Sequence, residues 1–375
     1  MIRGRATWLI YAAFACTAFL LNGLGAVLVP LQRELGVTRG DIAIYPTLFA
    51  AGLVVVGLTG GSLIGRTGRR AGLALAMGLM VAGGLLLAVP GRIPTLAGDV
   101  MVGLGAALMI QLVPALLAAL HPGRETAAVG EVNGVASAAS VLAPLAVAFS
   151  IALGLGWRAG YLGPALIVLA AVVWPLSRAA VPPAPGRAPG PGAETAPLLG
   201  RWIDLVLAVS VEFCMVFWAA SAFVEWHGAR AAEAPALASL FLVGMAVSRG
   251  LASPITRRVA DPRSLIWACC GVAAAGFALF WAAPALALGA AGLAVTGLGV
   301  ALLYPTTISR LIAAWPGSPD RASARAALGS GLAIGGAPFV LGRLSDAIGL
   351  RAAYLIVPVL LVLLVFRGAR TRAGG

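Results

Sequence analysis

The sequence predicts an all-α membrane protein built from two bundles of six helices each, and three observations support this prediction. Hydrophobic residues make up 61% of the chain, charged residues only 10%, and the mean hydropathy is +0.99. Soluble domains carry about 25% charged residues, so most of this chain is expected to lie in lipid. A Pro- and Gly-rich stretch divides the chain near its middle, and landmarks of the first part recur in the second.

Long apolar runs bounded by Arg, Pro or Gly predict twelve membrane-spanning helices. Each run approaches or exceeds the roughly 20 residues that a helix needs to cross the hydrocarbon core, and the runs lack the alternation of barrel strands. The predicted helices cover residues 8–29, 42–64, 71–89, 95–119, 127–153, 158–176, 202–224, 236–254, 264–283, 285–312, 323–342 and 351–366. The first run is too long for the core of a signal peptide, so we expect it to remain as a span.

The stretch over residues 177–200 contains PPAPGRAPGPG, a composition typical of an extended linker. We therefore predict a first bundle over residues 1–176, a cytoplasmic linker over 177–200 and a second bundle over 201–375. All 26 basic residues are Arg: 18 fall in segments that are cytoplasmic if the N-terminus is inside, and seven fall in outer loops. The remaining one, Arg249, lies near the inner end of the eighth span. This bias predicts cytoplasmic termini in the inner or plasma membrane of the cell.

Landmarks of the first half recur in the second at a nearly constant spacing. The recurring positions are Gly103 with Gly297, Pro122 with Pro316 and Ala143 with Ala337, each 194 residues apart, and Tyr161 with Tyr354, 193 residues apart. Chance matching between Gly- and Ala-rich helices is the alternative, but shared Pro-Gly and Arg-Tyr landmarks favour a true repeat. Repeated halves of the same orientation predict two bundles related by a pseudo-twofold axis along the membrane normal, with a site between them.

The segment GSLIGRTGRR follows the second predicted span. It resembles the loop signature Gly-x3-Asp-Arg-x-Gly-Arg-Arg of the major facilitator superfamily, through Gly61, Arg66, Gly68, Arg69 and Arg70, with Gly65 in place of the acid. The resemblance extends over the whole chain and implies a transporter that works by alternating access, with this segment as a cytoplasmic gating loop. The substitution at Gly65 removes the acid that holds the family's outward-facing state. Ordinary anchoring of the arginines at the cytoplasmic leaflet is the alternative.

Three acidic residues in predicted spans are candidates for proton coupling, because a charge near the bilayer centre costs about 2.5–3.5 kcal/mol and needs a partner, water or a proton. Glu212, near the middle of the seventh span, is the leading candidate; a neutral acid bonded to a neighbouring helix is the alternative. Asp99 lies near the outer end of the fourth span, where a solvated acid at a helix start is an equal alternative. The resembling drug antiporters carry Arg at this position. Glu131 lies in the first turns of the fifth span, where a structural role is favoured.

Five further residues are candidates for lining a substrate cavity. Met215 shares a helix face with Glu212, and Trp218 could stack on a substrate, although packing explains Trp218 equally well. The others are polar groups at intermediate depth on helices that line the central cavity of the resembling family: Asn22, Gln111 and Tyr304. Interhelical hydrogen bonds are the alternative account of these three residues.

These features predict a secondary active transporter of a small organic solute, coupled to protons, with a narrow preference for export and with uptake of a nutrient or metabolite as the alternative. The sequence has no ATP-binding motif of the Gly-x4-Gly-Lys-Ser/Thr kind. An enzyme is disfavoured because the two His residues, His121 and His227, lie in predicted loops without metal-ligand spacing, and a channel fits repeated halves less well. We expect a monomer in the lipid bilayer, with no cofactor, no metal and no nucleic-acid partner.

Overall fold

The computed structural model describes residues 4–178, 196–259, 261–314 and 319–370. Within these ranges the chain forms helices and no strand. The long apolar runs therefore form helices, as their length and continuity predict, and the all-α fold is confirmed.

Seven of the helices precede the Pro- and Gly-rich stretch and nine follow it. The first group is α1 (Arg5–Leu35), α2 (Arg39–Ile42), α3 (Ile44–Thr67), α4 (Arg69–Ala88), α5 (Arg92–Leu120), α6 (Glu125–Ala152) and α7 (Gly156–Arg178). The second group is α8 (Ala196–His227), α9 (Ala234–Gly250), α10 (Ala252–Arg258), α11 (Pro262–Ala282), α12 (Leu286–Val300), α13 (Leu303–Ala313), α14 (Pro319–Ile348), α15 (Leu350–Ala353) and α16 (Ile356–Arg370).

The described helices supply eleven continuous candidate spans and one broken span, in agreement with the twelve that the sequence predicts. Three of the spans each join two consecutive helices, namely α2 with α3, α12 with α13, and α15 with α16. The eighth span is the broken one, because α9 and α10 meet at an angle of 60°. The break follows from Gly250, which weakens the helix, and from Pro254, which has no N–H to donate to the Gly250 carbonyl.

Packing divides the helices into two compact units. The first unit holds the described residues up to Val27 and those from Leu48 to position 178; the second holds Leu28–Thr47 and the described residues from position 196 onward. The end of α1, all of α2 and the start of α3 therefore pack with the second unit, an arrangement that the sequence does not predict. Most of the predicted linker, residues 179–195, lies outside the described residues.

Close packing at glycine recurs within each unit. In the first unit, a Cβ atom on Gly103 of α5 would collide with the Phe49 carbonyl of α3. In the second unit, a Cβ atom on Gly297 of α12 would collide with the Phe241 carbonyl of α9. Small residues let the backbones of membrane helices approach closely. Since Gly103 and Gly297 are a pair that the sequence repeat matches, the repeat preserves a specific contact between helices.

Hydrogen bonds of the sixth and twelfth spans repeat in the same way. The Tyr161 hydroxyl donates to the Leu20 carbonyl at 2.8 Å, and the Tyr354 hydroxyl donates to the Cys214 carbonyl at 3.3 Å. Two arginine bonds follow the same pattern, from Arg158 Nε to the Leu87 carbonyl at 3.3 Å and from Arg351 Nη2 to the Trp281 carbonyl at 3.0 Å. The predicted repeat is therefore present in the contacts that build each unit.

The segment GSLIGRTGRR is helical up to Thr67, so most of it extends α3, and its last two residues begin α4. The turn lies at Gly68, whose φ of 83° is readily adopted only by glycine, and α4 begins at Arg69. A Cβ atom on Gly61 or Gly65 would meet no neighbouring atom. Neighbouring helices therefore do not pack closely on these two glycines, and of the three glycines only Gly68 has the backbone conformation that requires glycine.

Candidate functional site

Glu212 lies near the midpoint of α8 and pairs with Arg249 of α9. The Glu212 Oε1 and Arg249 Nη2 atoms are 3.5 Å apart. The glutamate side chain is only 12% exposed, whereas the arginine side chain is 38% exposed. A carboxylate among the packed side chains of a membrane helix needs a counter-charge, and Arg249 supplies it. The sequence-based alternative, a neutral acid bonded to a neighbouring helix, stays open; the neighbouring helix is α9 and the group it presents is a guanidinium.

Arg249 occupies the last turn of α9, directly before the break at Gly250. The partial negative charge at a helix C-terminus stabilises a basic residue there. The sequence assigns Arg249 no role beyond its place near the inner end of the eighth span. A lone charge in an apolar segment is nevertheless a signal that a partner exists, because such residues pair or face water.

Two hydroxyl groups complete the surroundings of this pair. Tyr304, in the first turn of α13, lies near both charges, and its hydroxyl faces Ser330 of α14. The Ser330 Oγ atom is buried and makes no hydrogen bond of ordinary length and angle with any residue that the structure describes. The Tyr304 and Ser330 hydroxyls can therefore bond each other or a polar group placed beside them. We refer to Glu212, Arg249, Tyr304 and Ser330 as the Glu212 cluster.

Met215 and Trp218, predicted to line a cavity, are fully buried. The Trp218 indole donates a hydrogen bond to the Pro338 carbonyl at 2.9 Å. Gly342 lies against the same ring, and a Cβ atom there would press on it. In this structure Trp218 ties α8 to α14, as the packing alternative proposes, and contact of either side chain with a substrate stays a prediction.

Asp99 lies on α5 in the first unit and is fully buried. The Phe49 backbone is close, but neither carboxyl oxygen makes a hydrogen bond with any described residue. The alternative of a solvated acid near a helix start is therefore wrong, because α5 begins at Arg92 and carries Asp99 inside the unit. An ionised carboxylate without a partner is unstable in an apolar interior, so this environment favours the protonated acid.

The other three candidates of the first unit, Asn22, Glu131 and Gln111, differ in their surroundings. The Asn22 Nδ2 atom donates to Ser140 Oγ at 3.0 Å, which is an interhelical bond of the kind given as the alternative. The Glu131 Oε2 atom accepts a hydrogen bond from the Tyr11 hydroxyl at 2.9 Å, and the Glu131 residue is exposed. Gln111 is exposed. The structure therefore does not gather these three residues into one group.

A second buried acid of α8 belongs to an ion-pair group that the sequence does not predict. Asp204 Oδ1 lies 2.8 Å from Arg367 Nε of α16, and Asp204 Oδ2 lies 3.9 Å from Arg310 Nη1 of α13. Arg367 also donates to the Gly200 carbonyl at 2.7 Å. These bonds fasten the start of α8 to two other helices, so Asp204 has a structural task in this state.

The opposite end of α8 contributes to another group of charges within the second unit. Glu225 pairs with Arg39 of α2, and Asp41 Oδ1 lies 3.5 Å from Arg343 Nη2 of α14. Asp346 of α14 accepts hydrogen bonds from the backbone N–H groups at positions 39 and 40, at 3.1 and 2.8 Å. The group holds α2 against the ends of α8 and α14. Its members are far apart in the sequence, so composition and periodicity do not reveal it.

Two acidic residues outside the spans, Asp261 and Glu233, have partners of their own. Among the described residues, no three His, Cys, Asp or Glu side chains gather as metal ligands. A hydrogen bond from the Ser264 hydroxyl, at 2.7 Å, lowers the pKa of Asp261, which caps the start of α11. A hydrogen bond from the Arg230 side chain likewise lowers the pKa of Glu233. Both groups therefore stay ionised near neutral pH.

Solved structures of transporters share this fold. A POT family transporter in complex with a thioalcohol-conjugated peptide aligns at a TM-score of 0.77 and 12% identity, covering 98% of this chain and 96% of that one. A bacterial homologue of the human lysosomal transporter Spinster, inward-facing and unoccupied, aligns at 0.75 and 14%, covering 97% and 95%. The E. coli fucose:proton symporter FucP aligns at 0.65 and 16%, covering 97% of each chain. At these identities the likeness is one of fold.

The sequence also matches a family model over most of its length. No curated protein matches the chain. The model described as Major Facilitator Superfamily, however, matches residues 10–309, from within α1 into α13. Twelve candidate spans and the transporter folds of the structural neighbours agree with this match. The chain therefore belongs to the Major Facilitator Superfamily, the family that the GSLIGRTGRR segment resembles.

Proposed function

We propose that this chain is a secondary active transporter that moves a small organic solute by alternating access and couples that movement to protons at Glu212. The observation that supports the proposal is the pairing of Glu212 with Arg249, 3.5 Å apart and on different helices. A carboxylate that is nearly buried, yet reachable through a partly exposed partner, can hold a proton in one state and a counter-charge in another. The proton would reside on a Glu212 carboxyl oxygen.

Protonation of Glu212 would change the forces between α8 and α9. The ionised pair attracts, whereas the neutral acid leaves Arg249 without its counter-charge. The free guanidinium would then bind another group or turn towards water, and either change alters the packing at the break after Gly250. Coupling therefore needs no residue beyond those of the Glu212 cluster.

The structural neighbours support coupling to protons without assigning a solute. The protein FucP is described as a fucose:proton symporter, and it shares the fold over nearly the whole chain. Export remains the narrow preference from sequence, and uptake of a nutrient or metabolite is the alternative. We propose that the chain acts as a monomer in the cell membrane, with both termini in the cytoplasm, as the distribution of arginine predicts.

The test is proton movement across the membrane of proteoliposomes when solutes are added one at a time. Solute-dependent proton flux is expected with the wild-type protein, and Glu212→Gln should abolish it, because the amide cannot carry a proton. Glu233→Gln is the matched control, since this glutamate lies outside the spans and pairs at the surface with Arg230. Glu233→Gln should retain the flux.

Other outcomes would redirect the proposal. Flux that persists in Glu212→Gln and disappears in Asp99→Asn would place coupling in the first unit. Solute movement without proton flux would indicate a facilitative carrier. A conductance that is independent of any solute would favour the channel hypothesis.

A further inference from the structure

The accessible charge of the Glu212 cluster is positive. Glu212 is 12% exposed and Arg249 is 38% exposed, so the guanidinium is the more accessible of the two charges. The negative charge of Glu212 is already balanced, and a cationic solute would have to displace Arg249 and leave it without a partner. A guanidinium presents several N–H donors in a fork that matches carboxylate and phosphate oxygens.

From this geometry we infer that the solute is a small organic anion, such as a monocarboxylate, which binds Arg249 in the place that Glu212 gives up when it takes a proton. The inference rests on the proposed function, because it uses the same pair and assigns the solute class to it. An anion that arrived while Glu212 remained ionised would leave a buried carboxylate without a counter-charge, which is costly. Proton and anion therefore bind together.

The hydroxyl groups of the cluster fit the same ligand. Tyr304 lies near both charges, and its hydroxyl faces the buried Ser330 hydroxyl. Both hydroxyls can donate to an anion held by Arg249. The site would thus combine one charge with two neutral donors, which is a common arrangement for orienting a small polar ligand.

Charge balance determines the coupling. The loaded site holds a neutral Glu212 and a monovalent anion beside Arg249, so its net charge equals that of the empty ion pair. Proton and anion then cross in the same direction, one of each, without net movement of charge. The sum of the proton gradient and the anion gradient decides between uptake and export, so one mechanism permits both directions.

The groups that face Glu212 come from several helices, and only some of them lie close enough to tune its proton. Helix α9 brings Arg249, α13 brings Tyr304 and α14 brings Ser330. The segment α12 contains no ionisable residue. Further charges on or beside α8 are engaged near its two ends, among them Asp204 with Arg310 and Arg367 near its start and Glu225 with Arg39 near its finish. Arg249 is therefore the group that the proton competes with.

The first experiment measures ligand binding by the thermal unfolding of the full-length protein in detergent. The probes are small monocarboxylates, headed by lactate and benzoate, with choline and tetraethylammonium as cations and glucose as a neutral solute. Stabilisation by at least one carboxylate is expected at about pH 5.5 and is expected to weaken towards about pH 8 as protons leave carboxyl groups. Arg249→Gln should weaken that carboxylate's affinity by at least about thirtyfold, the loss seen when one partner of a buried charge pair is removed.

Three further variants separate binding from folding. Arg257→Gln removes an exposed arginine of α10 and should bind like the wild type. The double variant Glu212→Gln with Arg249→Gln carries no unpaired charge, so it should fold and still fail to bind. Glu212→Gln keeps Arg249 free, so it should bind the carboxylate with little dependence on pH and exchange it across proteoliposomes, while losing accumulation driven by a pH gradient.

The outcomes distinguish this inference from the proposed function. Carboxylate binding that is lost in Arg249→Gln and retained in Glu212→Gln supports the inference. Proton flux driven only by cations or neutral solutes, carboxylate binding unchanged in Arg249→Gln, or no carboxylate that stabilises the protein would overturn the inference and leave proton coupling standing. Carboxylate exchange that depends on Arg249 but never moves protons would instead remove the proposed coupling and keep the anion site.

Discussion

The two units treat their buried acids differently. In the second unit, Glu212 is paired with Arg249 of a neighbouring helix, and the arginine is partly exposed. In the first unit, Asp99 is fully buried, and neither carboxyl oxygen has a hydrogen-bond partner among the described residues. The paired acid can exchange one partner for another, whereas the lone acid can only hold its proton. A sequence indicates how deep an acid lies in the membrane. Depth alone does not distinguish the paired acid from the unpaired one.

The charges also depart from the repeat that organises the packing. At a spacing of 194 residues, Asp99 corresponds to Leu293 and Glu212 corresponds to Ala18. Leu293 is fully buried in the second unit, as Asp99 is in the first. The repeat therefore preserves positions and contacts between helices, and the units differ in the charged groups that occupy those positions.

Removal of the arginine from the pair should have the largest effect on stability. Arg249→Gln leaves the nearly buried Glu212 without a counter-charge, and we expect a loss of about 2–3 kcal/mol, less than for a fully buried pair because Arg249 is partly exposed. Thermal unfolding in detergent, with a chemical denaturant series, measures the loss. The double variant Glu212→Gln with Arg249→Gln should recover most of it. A double variant as unstable as the single one would show that the pair is not the cause.

Gly103→Ala and Gly297→Ala test whether the two units share one scaffold. Each added methyl group would strike a carbonyl of the neighbouring helix, and we expect a loss of about 1–3 kcal/mol at both positions. Gly65→Ala is the control, because its Cβ atom meets no neighbour and alanine favours the helix by roughly 1 kcal/mol. The same unfolding measurement applies. A loss in one unit only would break the comparison at the level of packing.

Tyr161→Phe and Tyr354→Phe sharpen the comparison with a smaller change. Each variant removes one hydroxyl that donates to a backbone carbonyl, at 2.8 Å for Tyr161 and 3.3 Å for Tyr354. We expect losses of about 1 kcal/mol, larger for the shorter bond. Both aromatic rings remain in place, so packing is little altered. Unequal losses in the opposite order would contradict the expectation that the shorter bond contributes more to stability.

Much of the fold follows from the sequence because the bilayer sets the length of each apolar run. All twelve predicted spans correspond to candidate spans of the structure, and the glycine and tyrosine landmarks of the repeat make equivalent contacts. The ends are less well predicted, since α1 covers Arg5–Leu35 where residues 8–29 were expected. Polar residues continue a helix beyond its apolar run, and hydropathy does not detect them.

The candidate site is less predictable than the fold, because the sequence shows its residues but not which of them are neighbours. An acid in an apolar run is visible in the sequence, so Glu212 is a candidate from the sequence alone. Its partner Arg249 lies in another span, and helix neighbours are set by tertiary packing. The same holds for Asp346, whose partner at position 39 is 307 residues away. For Asp99 the sequence leaves a coupling role and a solvated acid equally open, because it shows the distance from a helix end but not the backbone of α3 that lies nearby.

The smallest change in stability is expected for Asp99→Asn, and it tests the other side of the comparison. An amide replaces a neutral carboxyl group of almost the same shape, so the free energy of unfolding should change by less than about 1 kcal/mol. Infrared difference spectra between the wild type and this variant should contain the carbonyl stretch of a protonated carboxylic acid at neutral pH, because an unpaired buried carboxylate is unstable. The corresponding spectrum for Glu212→Gln should contain the bands of an ionised carboxylate, because Arg249 stabilises that form. If both spectra contained the same form, pairing would not distinguish the two acids, and Asp99 would have an equal claim to the coupling role.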